Sequence, residues 1–177
     1  MRFLLCSLSF WAVVAGCNQT VEVEEPKKPV DPLVRVQAMV KECMVCHGTK
    51  EAQRGPILNG MEAWYLTDQL EKFRSGIRGA RASNRAEFLM GVGVKKIESD
   101  FELAYLADWF AEQAPVPAIR TVKGDLKKGK AFYEERCASC HGAEGEGNRL
   151  VRGPSLQRLE GWYFLEQMRK FRSGERG

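Results

Sequence analysis

Several features that direct a chain to other classes of protein are scarce in this sequence. No segment alternates apolar and polar residues in the period-two pattern of a half-buried strand, so an all-α fold is predicted. The main apolar run, residues 3–14, is shorter than the roughly 20 residues that span a bilayer. Only two histidines are present, His47 and His141, and each directly follows a Cys-x-x-Cys pair. The chemistry of the chain is therefore expected to centre on those two motifs.

Residues 1–16 are predicted to be a signal peptide. Arg2 gives a basic start, residues 3–14 form the apolar region, and the segment leads into Val14-Ala15-Gly16-Cys17. That ending resembles a bacterial lipobox, which implies that the Cys17 thiol accepts a diacylglycerol and becomes the N-terminus after cleavage. An ordinary signal peptide with an incidental Cys17 is the alternative. Residues 17–30 are polar and lack apolar periodicity, which predicts a flexible, lipid-anchored tether on the periplasmic side of a bacterial membrane.

An internal repeat organises the rest of the chain. Residues 54–79 and 152–177 align without a gap and are identical at 15 of 26 positions. The second copy has four extra residues after its histidine, in the glycine-rich loop of residues 142–148. A repeat of this size indicates two copies of one small domain. We predict domain 1 at residues 31–114, a linker at 115–123 and domain 2 at 124–177.

Each repeat is predicted to open with a helix. Asp31 and Asp125 are suitable N-caps, and Pro32 suits the first helical position. Gly76 and Gly174 are expected to end the helix that lies within each repeated segment. An apolar stripe, with Trp109 beside it, predicts one more helix in the first domain; the two domains are called unit 1 and unit 2 below. The predicted helices cover residues 32–43, 62–75, 99–112, 126–137 and 160–173.

The two Cys-x-x-Cys-His motifs are typical of c-type haem attachment. The thiols of Cys43 and Cys46, and of Cys137 and Cys140, would form thioethers with the haem vinyl groups. His47 and His141 would then be the proximal iron ligands. Zinc bound by four thiolates, a thioredoxin-like redox pair and plain disulfides are the alternatives. They are disfavoured because a histidine follows both pairs and no βαβ pattern is present.

The positive balance of the chain does not predict a polyanionic partner. The formal charge is +4. Loss of Arg2 with the signal segment and the addition of four propionates from two haems would bring it to −1. No nucleic-acid partner is therefore expected.

At these residues the chain resembles class I cytochromes c, and in particular the two-domain dihaem members. The resemblance covers about residues 31–177 and includes a Gly-Pro-x-Leu stretch after each motif. It implies that the carbonyl oxygens of Pro56 and Pro154 accept the Nδ1–H of the proximal histidines and fix their tautomer. It also implies that Phe-Arg-Ser-Gly-x-Arg-Gly is the loop before a methionine ligand. The fold expected is two tandem class I cytochrome c domains, the second truncated at its C-terminus.

The sixth ligand of the first haem is predicted to be Met90. Bis-histidine ligation within the chain is excluded because there is no third histidine, and methionine is the usual alternative. Met61 lies too close to the loop after the first motif to reach the other side of the haem. Met90 lies eleven residues after Gly79, where the resemblance to class I cytochromes c places the methionine ligand. A plain core role for Met90 is the other possibility. In unit 2 the corresponding methionine would fall near position 188, so either the sequence is a fragment, which we favour, or the second domain is incomplete. Met168 aligns with Leu70 and is expected to be a core residue.

These features predict an electron carrier rather than an enzyme. Its expected partners are a redox donor and a redox acceptor, such as a quinol–cytochrome c oxidoreductase and a terminal oxidase. Arg74, Arg78 and Arg172 are candidates for binding propionates or steering partners, and solvated surface charge is the equal alternative. A cytochrome module or subunit of a larger oxidase, dehydrogenase or peroxidase is the second hypothesis.

Overall fold

The computed structural model describes residues 30–49 and 55–176, and the regular elements within them are helices, as predicted. The signal peptide, Cys17 and all of the tether except Val30 lie outside the described residues. The helices are α1 Pro32–His47, α2 Ala63–Arg74, α3 Arg85–Val94, α4 Asp100–Glu112, α5 Leu126–Arg136, α6 Ala138–His141 and α7 Gly161–Ser173. Arg149–Val151 forms one 3₁₀ turn. No described helix has the length and apolar character needed to cross a bilayer.

Helix α1 begins as predicted and continues further than predicted. The Asp31 carboxylate accepts the backbone N–H of Leu33 at 2.8 Å, and Pro32 occupies the first position. The helix ends at His47 rather than at Cys43, so it carries the whole first motif. In unit 2 the Asp125 carboxylate accepts from Lys128 N–H at 3.0 Å, but α5 ends at Arg136 and the second motif lies largely on the short α6.

Helix α3 was not among the predicted elements. Its sequence contains Gly91 and Gly93, which weaken a helix, and it has no clear apolar stripe. The Asn84 side chain caps it by accepting Glu87 N–H at 3.4 Å. Gly91 faces Gly79, where a Cβ would lie 3.1 Å from the carbonyl oxygen of Gly79. The helix forms because tertiary packing of this kind outweighs its low intrinsic propensity.

The apolar core of the described residues lies in unit 1. Helix α2 packs against α3 and α4, and α1 packs against α4. One cluster joins Val36 and Val40 of α1 to Phe73 of α2 and Leu106 of α4. A second cluster includes Met61, Leu66, Ala107 and Phe110. Burial of this apolar face is the main favourable term for the unit, and it places α1, with its motif, beside α3 and α4.

Unit 2 buries different side chains. Helix α5 buries none, and the buried side chains of α7 are Gln167 and Lys170. Met168 was expected in the core but is 40% exposed, because no apolar helix covers it within residues 124–176. Between α4 and α5 the chain is non-helical, and Gly161 N–H donates to the Ile119 carbonyl at 3.1 Å. The linker is thereby tied to the start of α7.

Candidate functional site

The first motif ends in an oriented histidine. His47 is 8% exposed, and its Nδ1 lies 2.7 Å from the carbonyl oxygen of Pro56. Burial lowers the pKa of His47, and the contact with Pro56 partly opposes that shift. The neutral form is the one that binds metals, and Nδ1–H donation to Pro56 leaves Nε2 as the ligating nitrogen. Gly55 is required here, since a Cβ would lie 2.4 Å from Cε1 of His47.

The second motif repeats the contact between the histidine and a proline carbonyl. His141 Nδ1 lies 2.8 Å from the carbonyl oxygen of Pro154. A Cβ at Gly153 would lie 1.9 Å from the carbonyl oxygen of Cys140, so this position also admits only glycine. Both loops therefore approach their motifs too closely for a side chain, although one motif lies on a long helix and the other largely on a single turn.

The four cysteines of the motifs are free thiols. Burial raises the pKa of Cys43 to about 11, with a smaller contribution from the charge of Glu42. Among the described residues, no three Cys, His, Asp or Glu side chains are grouped as a metal cage requires. The two Cys-x-x-Cys pairs therefore do not form a four-thiolate zinc site in this geometry.

Met90 lies on α3 beside the first core cluster. Its side chain is half-buried and packs against the cluster that contains Phe73 and Val94. Cys43 and Met44 of the first motif pack against the same cluster. Met61 belongs to the second cluster and is only 5% exposed. The fold thus places a thioether and the first attachment motif along one apolar surface.

The three arginines considered as propionate or partner contacts differ in their surroundings. Arg78 is 2% exposed, so it is not a solvated surface charge. It pairs with Glu87 and donates to the Oε1 of Gln69 at 2.5 Å. Arg74 bonds Glu71 and Asp100, both at 2.6 Å, and Arg172 is exposed.

The structure reveals a set of polar residues that the sequence analysis missed. Glu160, 1% exposed, accepts the Ile57 N–H at 3.2 Å on Oε2. Glu62 accepts the Ser155 N–H at 2.8 Å on Oε1. Glu62 and Glu160 occupy the same position of the repeat, and so do residues 57 and 155. The contact is therefore reciprocal: a carboxylate of each unit accepts a backbone N–H from the loop that follows the Cys-x-x-Cys-His motif of the other unit.

A second reciprocal group joins α2 to α7. Arg78 donates to Gln69 at 2.5 Å and to Gln167 at 3.4 Å. Its repeat counterpart Arg176 donates to Gln167 at 2.5 Å and to Gln69 at 3.1 Å. Arg176 also donates to the Tyr65 hydroxyl at 2.8 Å. The sequence feature that could have indicated this group is that the same glutamine and the same arginine occur in both copies of the repeat.

The described residues fit two covalently attached haems. Each motif offers two unpaired thiols followed by an imidazole whose Nδ1 faces a carbonyl oxygen. In both loops glycine permits a backbone approach that any side chain would block. This donor set matches thioether attachment and axial imidazole ligation.

Known proteins resemble this chain over most of its length. A family model for cytochrome c matches residues 126–177. Cytochrome c4 of Azotobacter vinelandii is 30% identical over 145 residues, 76% of this chain and 69% of that protein. The FixP subunit of a cbb3-type cytochrome c oxidase from Bradyrhizobium sp. (strain ORS 278) is 27% identical over 120 residues, 64% of this chain and 40% of that subunit.

Solved structures agree with these relatives. The cytochrome c4 of Acidithiobacillus ferrooxidans, described in terms of a complex-induced tuning of electron transfer, has a TM-score of 0.62 and 26% identity to this chain. The match covers 77% of this chain and 83% of that one. The fold, the motif geometry and the extent of the identity agree: the chain belongs to the cytochrome c4 family, electron carriers among the class I cytochromes c with covalent haem c.

Proposed function

We propose that this chain is a dihaem electron carrier with one haem c in each unit. Cys43 and Cys46 hold the first haem, with His47 and Met90 as axial ligands. Cys137 and Cys140 hold the second haem, with His141 as its proximal ligand. The observation that carries the proposal is the matched pair of Nδ1-to-carbonyl contacts, 2.7 Å at Pro56 and 2.8 Å at Pro154, each next to two free thiols.

The residues of the chain would set the properties of each site. Bound haem c supplies a one-electron ferric–ferrous couple. Pro56 and Pro154 would hold each imidazole in one tautomer and raise its basicity. The apolar cluster beside Met90 would lower the local dielectric and keep water away, which disfavours the more highly charged ferric state. A thioether ligand favours the ferrous state as well, so the first site would have a high reduction potential.

We further propose the layout and location of the protein. Residues 1–16 are a signal peptide, Cys17 carries the lipid, and residues 17–30 tether the protein to the periplasmic side of a bacterial membrane. Residues 31–114 and 124–177 are the two haem domains, and 115–123 is the linker. The donor and acceptor would be membrane or periplasmic redox proteins, such as a quinol–cytochrome c oxidoreductase and a terminal oxidase.

Haem stoichiometry tests the central proposal. Wild-type protein made with a haem-maturation system should retain a pyridine haemochrome signal after denaturation, and its mass should rise by two haems. A Cys43→Ala/Cys46→Ala variant and a Cys137→Ala/Cys140→Ala variant should each lose one haem, because each motif attaches its own group. Haem that extracts into acid acetone from the wild-type protein would contradict covalent attachment.

A separate experiment tests the anchor. Wild-type protein in cells should incorporate labelled lipid and fractionate with membranes, whereas Cys17→Ser should remain unlabelled, since serine offers no thiol for the thioether. Cys6→Ser is the matched control, because Cys6 lies within the proposed signal peptide, and it should be labelled like wild type. Equal labelling of the Cys17→Ser protein would show that Cys17 is not the lipid site.

The second candidate is a haem subunit of a larger oxidase complex. It is favoured by the resemblance to the FixP subunit of a cbb3-type cytochrome c oxidase, which spans 40% of that subunit. Purification of the protein from its native membrane under mild detergent distinguishes the two. A free carrier elutes alone, whereas a subunit co-purifies with an oxidase in fixed proportion.

A further inference from the structure

Glu62 and Glu160 occupy the N-cap positions of α2 and α7, but neither side chain caps its own helix by accepting one of its backbone N–H groups. Glutamate is not among the residues that usually cap helices, because its side chain is long for that contact. Both carboxylates instead cross between the units and accept a backbone N–H from the loop that follows the other motif. Their place in the fold is therefore not explained by helix capping.

Each acceptor is joined to a proximal histidine through a single peptide group. The carbonyl of Pro56 and the N–H of Ile57 belong to one planar, conjugated unit. His47 lies 2.7 Å from its oxygen, and Glu160 lies 3.2 Å from its nitrogen. In the other unit, His141 and Glu62 lie at the two ends of the Pro154–Ser155 peptide, at 2.8 Å each. The same chain of bonds thus runs in both directions.

Bonds in such a chain strengthen one another. A carboxylate that accepts the N–H of a peptide increases the negative charge on its carbonyl oxygen. That oxygen then accepts Nδ1–H more strongly, and the imidazole becomes a more basic ligand. A more basic ligand favours ferric over ferrous iron. The carboxylate of one unit would therefore lower the reduction potential of the site in the other unit.

We propose that Glu160 and Glu62 are positioning residues that tune, each through one peptide group, the proximal histidine of the opposite unit. The proposal rests on the proposed function, in which His47 and His141 ligate haem iron. The two chains of contacts, called arms here, run from Glu160 to His47 and from Glu62 to His141, and they differ in burial. Glu160 and Ile57 are 1% and 6% exposed, whereas Glu62 and Ser155 are only half-buried. Electrostatic effects are larger away from water, so the arm from Glu160 to His47 should have the greater influence.

The test compares Glu160→Gln with Glu62→Gln. Glutamine keeps the shape but replaces a charged acceptor by a weaker neutral one. Spectroelectrochemical titration should show a positive shift of haem 1 in Glu160→Gln and a smaller positive shift of haem 2 in Glu62→Gln. We expect about a threefold change in the electron-exchange equilibrium constant for Glu160→Gln. The change should be modest because the carboxylate acts through a peptide group, whereas loss of a direct outer-shell partner typically costs about 10–100-fold in metal affinity or activity. NMR of the ferrous proteins should show the His47 Nδ1–H and Ile57 N–H resonances moving together.

Two controls separate this effect from charge or folding alone. Glu166→Gln removes one negative charge from the surface of α7, where Glu166 contacts Arg169 and Lys170, and should leave both potentials nearly unchanged. Glu160→Asp keeps the charge but is one methylene shorter, so it should behave like Glu160→Gln. If Glu160→Gln fails to fold, Glu62→Gln tests the same arrangement on the half-buried arm.

The opposing results are distinct. Wild-type potentials in Glu160→Asp, or equal shifts in Glu160→Gln and Glu166→Gln, would overturn the proposal, because charge alone would then account for the effect. A shift confined to the haem of the substituted unit would overturn it too. Wild-type protein without covalent haem would overturn the proposed function itself. Unshifted potentials in a Glu160→Gln protein that carries both haems would overturn only this inference.

Discussion

Helices α2 and α7 have closely similar sequences and opposite surroundings. Phe73 of α2 is 7% exposed, and its repeat counterpart Phe171 of α7 is 57% exposed. Arg78 lies over the first ring at 4.4 Å and Arg176 over the second at 4.8 Å, so the local contact is kept. The difference arises because α3 and α4 pack against α2, and Val36 and Val40 of α1 join the same apolar cluster as Phe73. The same amphipathic pattern therefore specifies a helix in both units, but its partner elements decide what is buried.

The polar side chains that α7 buries lie against unit 1. Gln167 and Lys170 are 3% and 4% exposed, and both lie against unit 1. In the described part of unit 2 the burial of side chains thus depends largely on contact with the other unit. Unit 1 is stabilised mainly by apolar packing, whereas the contact between the units is largely polar, with Leu159 of unit 2 packed against the second apolar cluster. The two parts should respond differently to substitution.

The methionines give the largest expected contrast between the units. Met90 lies beside the first motif, whereas Met168 projects from α7 and is 40% exposed. We expect Met90→Ala to open an iron coordination position in haem 1, because the thioether is its proposed sixth ligand. Carbon monoxide titration of the ferrous protein should therefore show one more equivalent bound than in wild type. Met168→Ala, the matched control, should add none. An unchanged titration in Met90→Ala would mean that Met90 is only a packing residue.

The two phenylalanines test the contrast in burial directly. Phe73→Ala should lower the free energy of unfolding by about 4 kcal/mol, since it removes an aromatic ring from the core. Phe171→Ala should cost less than about 1 kcal/mol, because its ring is mostly in water. Guanidinium unfolding followed by far-UV circular dichroism measures both. Equal losses of stability would show that the face of α7 that carries Phe171 is buried in solution, which would contradict the difference in burial between α2 and α7.

Substitution of Glu87 tests the polar contact between the units. Its carboxylate pairs with buried Arg78 and lies 3.2 Å from Nζ of Lys170. Burial alone would raise the pKa of Glu87, but the charges of Arg78 and Lys170 outweigh burial and lower it below its ordinary value of 4.5. Glu87→Gln should therefore reduce the free energy of unfolding at neutral pH by about 2 kcal/mol.

The pH dependence of that loss has a definite sign. A depressed folded-state pKa gives stability that is present above pH 4.5 and lost as the pH falls through the folded value. The difference between wild type and Glu87→Gln should therefore shrink on acidification. Glu175→Gln is the control, because Glu175 and Arg81 are both exposed at 3.8 Å and should contribute little. A constant difference at every pH would exclude this electrostatic origin.

Prediction from sequence succeeded where local chemistry decides the outcome. The caps at Asp31 and Asp125 have clear signatures, and the five predicted helices agree with observed ones to within a few residues. Helix α3 was missed because Gly91 and Gly93 mask it, although Asn84 with Glu87 three residues later is a start signal. The all-α fold followed from the same local patterns.

The contacts between the units could not be predicted in this way. Glu62 and Glu160 look like ordinary residues at the start of a helix, and only the tertiary arrangement turns them toward the opposite loop. The ion pair that buries Arg78 could not be predicted either, because its partner Glu87 lies on α3, a helix that was not predicted. Met168 was placed in the core by analogy with Leu70, and the analogy failed because burial belongs to the pair of packed elements rather than to one helix.

The linker between α4 and α5 lowers the entropic cost of the polar contact between the units. Two free molecules that met through such hydrogen bonds would lose translational and rotational freedom worth roughly 4–15 kcal/mol. Here the short connection, tied down between Ile119 and Gly161, keeps the two halves permanently near each other. For short linkers the effective concentration is on the order of millimolar, whatever the amount of protein in solution. The pairing of the two halves is therefore independent of dilution.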